Sequence, residues 1–81
     1  MGGIKYMSIF NLNPGQRGII TGINGNSKLT KRLSALGCIE GTQIEFKRKA
    51  PLGDPVIVNF RGFDLAIRKK DAECIILENI G

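Results

Sequence analysis

Leu29 to Gly41 reads LTKRLSALGCIEG, the one segment whose apolar spacing and terminator both specify a helix. Leu29, Leu33 and Leu36 recur at i, i+4 and i+7, which lays them in a stripe down one helical face, while Lys28, Lys31 and Arg32 take the remaining surface. Gly37 follows the last periodic leucine and tolerates the left-handed backbone that ends a helix. The spacing predicts a helix over about Lys28 to Leu36. A helix this short is marginal alone in water, so the leucine stripe must pack on the rest of the chain.

The rest reads as strand and turn. Asn13-Pro14-Gly15 is a turn signal, and Gln16 to Ile23 follows as a strand carrying Gly18, Ile20 and Gly22 on one face, a sign of a bend or of close backbone approach. Asn24 to Ser27 is a turn in which Asn26 or Ser27 can cap the helix. Beyond the helix, Cys38 and Ile39 are expected to anchor a tight corner inward. Thr42 to Lys49 then alternates, with Ile44 and Phe46 on the core face. A six-residue connection, Ala50 to Pro55, leads into Val56, Val58 and Phe60. Arg61-Gly62 turns the chain; Phe63, Leu65 and Ile67 mark a further strand, and Asp71 to Leu77 the last. The expected fold is mainly β: a small barrel of about five antiparallel strands with one inserted helix, closed because closure removes exposed edges. Residues 1–7 show no period and are expected to form a flexible extension, with the domain over residues 8–81.

The 81 residues suffice for one domain with a thin core. No apolar run approaches the roughly 18–20 residues that cross a bilayer, and no signal-peptide pattern opens the chain, so a cytoplasmic location is expected. The net charge of +5 permits an acidic protein, a nucleic acid or acidic lipid headgroups as partner and selects none of them. Cys38 and Cys74 stand alone and are expected to be free thiols packed as small hydrophobes.

Several pieces together carry a family. Gly15, Gly18 and Gly22, Lys31-Arg32-Leu33, Leu36-Gly37 and Glu40-Gly41, the APLGDP run Ala50 to Pro55, then Gly62, Ala66-Ile67-Arg68 and Ala72 resemble the ferrous iron transport protein A family (FeoA) from about Leu12 to Glu78. The resemblance implies an SH3-like barrel with an inserted helix, a small cytoplasmic accessory of the membrane ferrous iron transporter FeoB, whose GTP-binding domain lies on the cytoplasmic side. The domain also looks like the C-terminal module of iron-dependent repressors, so fold alone leaves function open.

The chemistry of the side chains points to binding and away from catalysis. The chain has no histidine, which excludes Ser–His and Cys–His nucleophile pairs, and no Walker loop, which leaves nucleotide chemistry to a partner. Cys38, Glu40 and Cys74 are the only candidates for an iron site and are not expected to form one; no metal and no cofactor are assigned. The carboxylates are expected to be solvated. Leu52, in a loop stiffened by Pro51 and Pro55, is either an exposed apolar tip or a plug folded back over the barrel mouth. Lys31, Arg32, Pro51, Leu52, Asp54 and Arg68 are the candidate partner-binding residues, with Lys47, Arg48, Arg61, Lys69 and Lys70 as further cations. The expected partner is the cytoplasmic region of FeoB, with the membrane reached only through it. Nucleic acid is the rival partner and is not expected, because Phe46, Phe60 and Phe63 fall at inward positions and leave few aromatics for base stacking. Self-association through an edge strand or through Cys38 is left open.

Overall fold

The computed structural model describes residues 6–25 and 27–80. Six antiparallel strands run β1 (Tyr6–Ser8), β2 (Arg17–Ile23), β3 (Gln43–Lys49), β4 (Val56–Phe60), β5 (Phe63–Ile67) and β6 (Ile75–Asn79). A 3-10 turn, Ile9–Asn11, follows β1; helix α1 (Ser27–Ala35) joins β2 to β3, and a four-residue helix α2 (Lys69–Ala72) joins β5 to β6. The ladder order is β1-β6-β2-β3-β4-β5. This is the expected mainly-β architecture with its inserted helix, carrying six strands where the sequence pattern shows five.

The extra strand comes from the segment expected to be a loose extension. Residues 1–5 lie outside the described residues, but Tyr6, Met7 and Ser8 pair with Glu78, Leu77 and Ile76 of β6. Three paired residues are too few to show a period of two in a sequence. At the other end, the strand expected from Asp71 begins only at Ile75. Ala72 and Ile75, both buried, are three apart, a helical interval, before Ile75 and Leu77 take up the strand alternation.

The core holds the predicted wall residues Ile20, Ile44, Phe46, Val56, Val58, Phe60 and Ile67, with Leu65 packed at its margin, and adds Ile9, Leu12, Ala72, Ile75 and Leu77. Leu29 and Leu33 of α1 complete it. Leu36 does not: the helix ends at Ala35, and Leu36 leaves the stripe exposed. Its place is taken by Cys38. The Gly37 amide donates to the Ser34 carbonyl at 3.0 Å and the Cys38 amide to the Leu33 carbonyl at 2.8 Å, with Gly37 at φ +85°, so a Schellman turn folds Cys38 back against Leu33. Thr42 then takes the next inward position. Its hydroxyl accepts from the Ile39 amide at 3.1 Å, and Ile39, expected inward, is exposed.

The two β2 glycines have different causes. A Cβ on Gly18 would lie 3.1 Å from Leu77 Cδ1 and 3.2 Å from the Glu78 carbonyl oxygen, so any side chain there would require β6 to give way by a few tenths of an ångström. Gly22 instead flanks a register shift between Ile20 and Gly22 that bends the strand. Asn26, one of the two expected caps, lies outside the described residues, and Ser27 is the first helical residue.

Candidate functional site

The short helix α2 gathers the basic residues. Arg68, Lys69 and Lys70 open it, and two contacts fix it to the rest of the molecule. Asp54, at the base of the β3–β4 hairpin, accepts the Lys69 amide at 2.9 Å, and Asp71 accepts from Arg32 Nη2 of α1 at 3.2 Å. Both carboxylates were expected to be solvated. Asp71 instead has a side chain only 12% exposed, held by an Arg32 side chain 62% exposed. Burying a carboxylate is costly unless a cation and hydrogen bonds compensate it, so the pair locks α1 to α2.

Between these pinned elements runs an open groove of about 820 Å³, lined by Lys28, Leu29 and Arg32 of α1, Asp54 of the hairpin, and Arg68, Lys69, Lys70 and Asp71. Five cations face two carboxylates, one already paired with Arg32 and the other engaged by a backbone amide. Lys69 also sets its ammonium 5.0 Å from the Phe10 ring centroid, and Lys49 of β3 sits 4.4 Å from the same centroid. The half-buried ring carries positive charge at the groove's edge.

Three of the six predicted binding residues, Arg32, Asp54 and Arg68, meet in this groove. Lys31 is exposed on α1 outside the lining. Pro51 and Leu52 stand at the hairpin tip, where Leu52 is 96% exposed, an apolar tip and no plug. The Ala50 amide donates to the Pro55 carbonyl at 2.9 Å and the Gly53 amide to the Ala50 carbonyl at 2.7 Å, so the loop presenting Leu52 is itself hydrogen-bonded. Lys28 was not singled out for binding, although its position four residues before Arg32 places it on the same helical face. Lys69 and Lys70, expected as further cations available to a partner, line the groove beside Arg68.

A smaller groove of about 540 Å³ lies at the other end of α1, between residues 39–43 and Arg61. Cys38 is buried beneath this corner, and burial pushes its thiol above its ordinary 9.0, opposed by the charge of Arg61. Cys74 is half-buried, and both thiols are free. Among the described residues no three His, Cys, Asp or Glu side chains gather as a metal site, and no helix is long and apolar enough to cross a membrane. Phe63, expected inward, is exposed, its ring 4.5 Å from that of Phe60; the aromatic residues left exposed are Phe63 on β5 and Tyr6 on β1.

The family model of the FeoA domain matches residues 7–79. The chain belongs to the FeoA family. Its curated relatives include the Fe(2+) transport protein A/Fe(2+) transporter FeoB fusion protein of Porphyromonas gingivalis, 30% identical over 74 residues, which are 91% of this chain and 9% of that protein. The solution structure of FeoA from Chlorobium tepidum superposes with a TM-score of 0.87 at 33% identity, covering 93% of this chain and 71% of that one. The zinc complex of Stenotrophomonas maltophilia FeoA, described as a prokaryotic SH3 domain protein, superposes with a TM-score of 0.75 at 21% identity over 89% of each chain. The fold is thus SH3-like, and the family is one of ferrous iron transport.

Proposed function

We propose that this FeoA-family chain is a small, non-enzymatic accessory of ferrous iron uptake that works in the cytoplasm by docking onto the cytoplasmic region of a FeoB-type transporter. The observation that carries this reading is the Porphyromonas gingivalis relative, in which a segment matching 91% of this chain is joined covalently to FeoB. Fusion keeps two modules at high effective concentration, the arrangement a weak docking contact needs when the modules are separate. The molecule offers two docking features. Leu52 is an apolar anchor on a loop stiffened by two prolines, so ordering it on a partner costs little entropy. The cations of α1 and α2 can steer the approach to an acidic surface.

The test is a binding titration of this chain against the cytoplasmic domain of FeoB from the same organism, with and without GTP. Leu52→Asp places a charge at the tip where the core has no stake, so its melting temperature should match the parent. Its affinity for the domain should fall about tenfold, the effect of losing roughly 1.4 kcal/mol at a small interface. Equal affinity of the parent and Leu52→Asp would remove the hairpin from the interface.

A further inference from the structure

We infer that the groove between α1 and α2 is a receptor for an extended acidic segment of a partner protein; the choice of a protein partner rests on the docking reading above. Charge sets the class of ligand. Lys28, Arg68 and Lys70 form no ion pair among the described residues, and Arg32, although bound to Asp71 through Nη2, retains further N–H donors on an exposed guanidinium. The two carboxylates in the wall are already engaged and do not cancel these charges.

Spacing sets the shape of the ligand. Lys28 and Arg32 are four residues apart on α1, a rise of about 6 Å. Alternate side chains of an extended chain lie about 6.6 Å apart on one face, so carboxylates at every second position match the helical cations. The cations come from two walls, Lys28 and Arg32 from α1 and Arg68, Lys69 and Lys70 from the start of α2, an arrangement that suits a segment laid between them. A second copy of this chain is a poor occupant: Asp71 and Glu73 are its one acidic pair at this spacing, and Asp71 is held in the groove wall by Arg32. A nucleic acid would want an exposed aromatic within the groove, and the lining has none.

The experiment titrates the intact chain, at about 0.15 M salt, into a fluorescein-labelled peptide of alternating glutamate and alanine with a central leucine. The same peptide with glutamine for glutamate, a single-stranded RNA and inorganic pyrophosphate serve as controls. Lys28→Gln/Arg68→Gln/Lys70→Gln is compared with Arg17→Gln/Lys47→Gln/Arg48→Gln, which removes the same charge from β2 and β3. The glutamate peptide should bind, the groove variant should lose about tenfold in affinity and the strand variant less than about twofold. Amide shifts of the parent chain on adding peptide should centre on Lys28 to Arg32 and Arg68 to Asp71, a readout independent of how the variants fold. Equal losses in the two variants, amide shifts centred elsewhere, or equally tight binding of RNA or pyrophosphate would overturn the inference. Against the FeoB domain, a loss with Leu52→Asp but none with the groove variant would sink the groove and leave the docking reading intact. Peptide binding without any binding of the domain would do the reverse.

Discussion

Cys38 sits where three independent constraints meet: the Schellman turn that ends α1, the packing of Leu33, and the charge of Arg61. Burial raises its pKa above 9.0, so the folded protein keeps the proton to a higher pH than the unfolded chain does. The contribution to stability is therefore complete below pH 9 and is lost as pH rises through the folded value, where the unfolded chain alone gains from ionising. Urea unfolding at pH 7 and at pH 10 should show the parent losing more stability across that interval than Cys38→Ala. Parallel losses would mean that the thiol ionises freely in the folded state. That Cys38 points inward was legible from its small apolar character next to Gly37. The exposure of Ile39 was not, because two adjacent apolar residues compete for one inward position. A hydrogen-bonded threonine three residues after Ile39 decided between them.

At the scale of elements, the β4–β5 connection couples local strain to the end of α1. Arg61 and Gly62 have φ of +52° and +89° between the paired residues Phe60 and Phe63, which is a two-residue type I′ turn. Asn is the favoured residue at its first position, and an L-residue such as Arg costs about 1 kcal/mol there. Its guanidinium lies against Gly37, 3.4 Å from where a Cβ would stand. Arg61→Asn should therefore stabilise the domain by about 0.5–1 kcal/mol and raise its melting temperature by several degrees, read by calorimetry. A lower melting temperature would show that the contact over Gly37 outweighs the strain. The turn was legible from Arg61-Gly62, and so were β3 and β4, whose alternation is clean. Helix α2 was not: four residues show no helical period, and the strand-like run after them masks it.

On the scale of the whole molecule, the ladder is linear and its ends are β1 and β5, so closure of the barrel does not remove every edge. The core residues were largely legible because alternation reports which side of a strand is buried. The groove was not, since it joins Lys28 and Arg32 to Arg68, Lys69 and Lys70 through contacts that no local pattern encodes. The ion pair behind it spans 39 residues of chain. The same long-range logic gives β1 its role. Its three residues cover the outer edge of β6, whose other side is already paired with β2, and Met7 packs on the core. A chain beginning at Ile9 should lose about 1–2 kcal/mol from the Met7 contact and leave Ile75–Asn79 with an unpaired edge. Such an edge is a template for a second chain, so light scattering should detect stronger concentration-dependent association in the shortened chain than in the parent. If the shortened chain associated no more than the parent and melted at the parent's temperature, β1 would neither protect the edge nor support the core. Its pairing with β6 would then contribute no stability.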